Sequence, residues 1–143
     1  MRNQEVNIYK EIQRTTEHAM KTIDTVVEKV YDENLALQIS KQSLKFAEIR
    51  NEAYDRILEA KAEPYRSSYF KDLRISGAIQ YNTLLNTSTS KIAELMIKES
   101  NAGVLEMNKV LNHNEDADRQ SVALAHRLME LEEQNIATLK KYL

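Results

Sequence analysis

The sequence predicts an all-α protein, a four-helix bundle made of two antiparallel helical hairpins joined by a short helical crossover. Three observations lead there. Apolar residues recur at three- and four-residue spacing through most of the chain, the period of a helix with one face turned inward. Only two glycines and one proline fall among 143 residues, which leaves few places for turns or strands. Short polar breaks divide the periodic stretches into two pairs, and so short a break makes consecutive helices antiparallel neighbours.

The first helix, expected over about residues 3 to 31, carries Tyr9, Ile12, Thr16, Ala19, Ile23, Val26 and Val30 as a heptad seam. Asp32, Glu33 and Asn34 form a polar break and offer an N-cap to the next helix. That helix, about 34 to 61, buries Leu35, Ile39, Gln42, Phe46, Ile49, Ala53 and Ile57. Glu63-Pro64 ends it or starts the next helix, because proline is tolerated only in a helix's first turn. A less regular apolar pattern from Ser67 to Leu85 predicts the helical crossover. The capping cluster Asn86 to Ser90 restarts the chain as a helix over about 89 to 113, with Ala93, Met96, Ser100, Gly103, Met107 and Leu111 inward. A polar turn from His113 to Asp118 precedes a last helix that runs to about Tyr142. Two hairpins joined by one longer connection is the topology of ferritin-like bundles. Residues 1–143 are expected to form one domain.

Composition excludes several classes of function. A net charge of −2 with interspersed signs gives no footprint for nucleic acid or an anionic membrane. No run of about 18 apolar residues suggests a membrane span, and the polar start Met1-Arg2-Asn3-Gln4-Glu5 lacks a signal core. With no cysteine there is no disulfide and no thiolate chemistry, so a cytoplasmic protein is expected. There is no glycine-rich phosphate loop, and Gly103, beside Ser100 and Ala102, reads as a place where two helices approach closely. Tyr9, Tyr31, Tyr54 and Tyr81 lie at or beside apolar positions and read as core or interface filling.

One polar seam crosses the expected core. The last helix's stripe reads Val122, Ala125, Met129, Glu132, Ile136 and Leu139, with Asn135 a turn beyond Glu132. A carboxyl on a core stripe costs several kcal/mol, roughly, unless it is paired, protonated or metal-bound. Hairpin geometry puts Glu132 level with Glu99, and Glu17 level with Glu48, all near mid-helix. These four are the candidate metal ligands, in the layout of a carboxylate-bridged dimetal site holding iron or manganese. Such a site needs Glu-x-x-His on two helices, whereas Glu48 and Glu132 are followed by Asn51 and Asn135. Thr16 and Ile49 hold the seam positions beside Glu17 and Glu48, which places those two on solvated flanks. For Glu132 a hydrogen-bonded network with Gln42, Ser100 or a tyrosine is weighed ahead of a metal. His18 points about 100° around its helix from Glu17, His113 lies in a polar turn, and His126 is badly placed to share an ion with Glu132.

The stretch Ser88-Thr89-Ser90-Lys91-Ile92-Ala93-Glu94-Leu95-Met96-Ile97, then Gly103 and Lys109-Val110-Leu111-Asn112, resembles small bacterial ferritin-like four-helix-bundle proteins. The ending, Ala125-His126-Arg127-Leu128 through Glu132-Glu133-Gln134-Asn135-Ile136 to Leu143, is similar to theirs as well. The resemblance implies a ferritin-like bundle with no established activity and no catalytic residues to carry over. The departures at Asn51 and Asn135 put ferroxidase or peroxidase chemistry in doubt. The expected function is therefore non-catalytic: no cofactor, and action through a homodimer or a protein partner. Ile8, Leu37, Leu44 and Ile97, apolar beyond a single stripe, motivate that expectation. A carboxylate-rich metal-binding or oxidoreductase bundle is the alternative.

Overall fold

Four long helices pack together in the computed structural model, which describes residues 2–66 and 88–143. We label them α1 (Arg2–Val26), α2 (Glu33–Glu59), α3 (Thr89–His113) and α4 (Arg119–Leu139). No strand occurs among the described residues, and none of their helices is long and apolar enough to cross a membrane. The crossover expected over 67–85 lies outside the described residues.

The helix starts follow the capping chemistry of the sequence. Asp32 accepts from the Leu35 amide at 2.8 Å, Ser88 from Lys91 at 3.2 Å and Asp118 from Ser121 at 2.8 Å. Each satisfies an amide that has no partner inside its helix. α1 stops at Val26, short of the expected end, and continues as one 3-10 turn over Val27–Lys29. Val26, Val27 and Val30 are β-branched and weaken the helix just where the chain must reverse, and Val30 is already extended (ψ 117°). Tyr31, read as core or interface filling, follows this turn and is 86% exposed, so it is not part of the core. α2 ends in a Schellman motif: Ala62 donates to Ile57 O at 3.1 Å and Lys61 to Leu58 O at 2.9 Å. Lys61 holds the left-handed position (φ 56°) where glycine is usual.

Hydrogen bonds between helices set their directions. Near its start α1 meets the α3–α4 turn: Asn7 donates to Asn114 at 3.1 Å, and the Asp116 amide donates to Gln4 at 2.8 Å. Farther along, His18 meets Glu99 at 2.5 Å. α1 therefore runs antiparallel to α3 as well as to α2, and α2 and α3 run the same way. The connection between Glu59 and Thr89 links opposite ends of the bundle. α1 packs against all three other helices, so its buried arc is broader than one stripe. Ile8, expected to be exposed, is fully buried for that reason, and Ile97 is half-buried against the core.

Gln13, buried on α1, secures the start of the crossover. Its amide nitrogen donates to Tyr65 O at 3.1 Å and its oxygen accepts from Tyr65 N at 2.9 Å, like a rung of β-ladder. Gln13→Ala should cost about 1–3 kcal/mol by leaving both backbone groups unmatched. Faster amide exchange at Tyr65 than at Leu35 in the variant checks this assignment.

Candidate functional site

All four helices contribute to a cavity of about 280 Å³ in the middle of the bundle. α1 supplies Thr15, His18, Ala19 and Thr22, α2 supplies Phe46, and α3 supplies Met96, Glu99, Ser100 and Gly103. Glu132 reaches it from α4. Helical periodicity puts these groups together: Thr15, Ala19 and Thr22 are successive turns of one face, as are Met96, Ser100 and Gly103.

Glu132 is 2% exposed, and its Oε1 has no hydrogen-bond partner among the described residues. Burial pushes its carboxyl up to about 8 from the ordinary 4.5. A hydrogen bond from Ser100 opposes the rise, and the charge of Glu99 adds to it. At neutral pH Glu132 is thus mostly a neutral acid, able to donate as well as accept. Room for it comes from Gly103, where a Cβ would collide with Glu132 Oε2. Gly103 accommodates the carboxyl of a neighbouring helix rather than a close crossing of two backbones.

The four candidate metal ligands have different environments. Glu99 lines the same cavity as Glu132 and pairs with His18. Glu17 lies on the other side of α1, where Gln13 donates to it at 2.9 Å and Arg50 reaches it from α2 at 3.4 Å. Glu48 is exposed on α2. Of the two asparagines in histidine positions, Asn51 is exposed while Asn135 is buried with its amide nitrogen unpartnered among the described residues. Gln42, the seam glutamine of α2, is buried with both amide atoms equally unmatched. Among the described residues no group of three or more His, Cys, Asp or Glu side chains is placed to hold a metal ion.

His18 has a partner that its sequence neighbourhood hides. Beside Glu17 it looks isolated, yet it meets Glu99, 81 positions away. Only the knowledge that α1 and α3 are antiparallel neighbours would have brought the two together. The other charges at the cavity mouth are also engaged: Arg14 with Glu11 at 2.6 Å, and Glu106 with Lys109 at 3.3 Å.

A second feature lies on the outside of α2. Leu37, Leu44 and Leu58 are 56%, 69% and 49% exposed, and with Asn51 they form a line with one residue every seven. Ser40, Ala47 and Tyr54 alternate with them at the complementary heptad position. α2 thus carries two seams, one buried in the bundle and one facing outward. Arg50 lies over the Tyr54 ring, 4.3 Å from its centre.

Comparison of the chain with protein-family models, with curated proteins and with solved structures returns no match in any of the three.

Proposed function

We propose that this chain is a non-catalytic helical bundle of the ferritin-like kind that works as a homodimer through the outer face of α2. The observation that carries the reading is the exposed heptad of Leu37, Leu44 and Leu58. A two-position heptad repeat is the pattern of a helix that packs lengthwise against another helix. Exposed leucines in register along one helix leave an apolar strip that a second copy would cover. The ferritin-like assignment is supported by the helix directions, two antiparallel hairpins with the end of α2 and the start of α3 at opposite ends of the bundle.

The polar residues of the seam favour one arrangement. With the two copies of α2 antiparallel, Leu37 packs on the partner's Tyr54, Leu44 on the partner's Ala47, and Ser40 on the partner's Asn51. A single asparagine in a coiled-coil core selects register, because it is satisfied only opposite another polar group. The same register sets Lys41 beside the partner's Glu48, twice by symmetry, and both residues are exposed on the protomer. Sliding by one heptad would oppose two copies of Glu48 and set Asn51 against alanine.

Sedimentation tests the reading. The wild type should be a dimer at micromolar concentration and Leu44→Lys a monomer of unchanged helicity. Lys41→Glu should weaken the dimer about tenfold or more, and adding Glu48→Lys should restore it. A wild type that stays monomeric throughout that range sinks the proposal. A dimer insensitive to Leu44→Lys places the interface elsewhere.

A further inference from the structure

The cavity at the middle of the bundle has features that self-association does not use. Its lining holds two buried polar groups with an atom unpartnered among the described residues, Glu132 at Oε1 and Thr22 at Oγ1. A second carboxylate, Glu99, lines the same space. The basic side chains nearby are paired with other carboxylates, Arg14 with Glu11 and His18 with Glu99. The remaining wall is largely apolar, with Ala19, Phe46 and Met96 from three helices. We propose that this cavity is a binding site for a small organic ammonium ion, a primary amine on a short apolar body, held by Glu132.

The chemistry discriminates among ligand classes. Among the described residues an anion would meet two carboxyls and no unpaired basic side chain. A bare metal ion needs several hard oxygen or nitrogen ligands, and the described residues provide no such group. An alkylammonium ion matches both halves of the site. Its N–H donors can pair with the carboxyl of Glu132, which lines the cavity, and its hydrocarbon part can cover the apolar wall. A charge pair sheltered from water is much stronger than one at the surface, provided that both charges are matched. Ser100 opposes the rise in the Glu132 pKa and so favours the ionised form that the ligand requires.

Binding is coupled to proton release. Glu132 is protonated in the empty protein at neutral pH, and pairing with an ammonium ion requires the carboxylate. Affinity should therefore rise about tenfold per pH unit below pH 8, then level off. Other titratable groups at the cavity could contribute: Arg14 and His18 from α1, and Glu99 and Glu106 from α3. α2 contributes only Phe46 to the lining, and α4 only Glu132.

The test is calorimetric titration with straight-chain alkylammonium chlorides from ethyl to hexyl, matched against the corresponding alcohols and carboxylates. Buffers of different ionisation enthalpy count the protons. At least one ammonium should bind saturably, more tightly than its alcohol, with close to one proton released near pH 6.5 and about a tenfold gain in affinity per pH unit. Glu132→Gln, which keeps the side-chain shape, should weaken binding about tenfold or more and abolish the proton release. Leu44→Lys, on the outer face, should leave binding unchanged, which separates this site from the α2 interface. No saturable binding by any member of the series, alcohols binding as well as ammonium ions, or unaltered affinity in a helical Glu132→Gln protein would each overturn the proposal.

Discussion

Folding stability should fall as pH rises from about 5 to about 8, and Glu132→Gln should remove that slope. The sign follows from the carboxyl's environment. Burial raises Glu132 to about 8 in the folded chain, against an ordinary value of 4.5. Below both values the group is protonated in both states and contributes no slope. Between them the unfolded chain ionises while the folded one keeps its proton, so the folded state loses ground by up to about 1.4 kcal/mol per pH unit. Above pH 8 both states are ionised and the loss is complete, on the order of several kcal/mol. That is a large part of the about 5–15 kcal/mol that holds a typical domain together. Urea denaturation at pH 5 and pH 8, in phosphate or another buffer without an amine, measures it. The wild-type and Glu132→Gln curves of stability against pH should diverge: similar stability at the acid end, the variant more stable at the alkaline end. Parallel curves would show that the carboxyl is hydrated in the folded protein.

Phe46→Ala should cost about 3–5 kcal/mol, the usual loss for truncating a buried aromatic ring. Phe46 is 2% exposed and forms the α2 side of the central cavity. Its removal would add its own volume to a space that already exists. Leu44→Ala, two positions earlier on the outer face, should change protomer stability by less than about 0.5 kcal/mol while weakening the dimer. Denaturation below the dimer's dissociation range, followed by sedimentation, separates the two effects. A loss of under about 1 kcal/mol for Phe46→Ala would mean that the ring is not part of the continuous core.

The α2 helix shows why so much of the fold was legible in the sequence. Leu35, Ile39, Gln42, Phe46, Ile49, Ala53 and Ile57, the residues its periodicity turns inward, are the ones that are buried. Helical spacing aligns side chains whatever the partner is, so a single strand of text carries the buried face. The caps Asp32 and Ser88 were legible for the same reason, since their bonds reach only three residues ahead. α1 departs from its pattern where local information is insufficient. Ile8 looks like an exposed extra when one stripe is assumed, and becomes core because three helices pack on α1. Tyr31, legible only as core or interface filling, is not core, because a short 3-10 turn ends α1 before it.

The candidate site divides along the same line. Glu132 was conspicuous because it breaks an apolar stripe, and its burial follows from that stripe. Its uncommitted oxygen and its neighbour Gly103 were not legible, since both depend on how α3 and α4 approach. Glu17 and Glu99 read alike as mid-helix carboxylates, yet one is held by Arg50 across the first hairpin and the other by His18 across the bundle. Helical periodicity, capping and the α2 heptads are local, and so the order of residues determined them. Which helices stand side by side, and therefore which carboxyls share a cavity and which charges cancel, was decided only by tertiary packing. Those contacts join residues distant in the chain, and a few degrees of helix rotation changes them while leaving every local pattern intact.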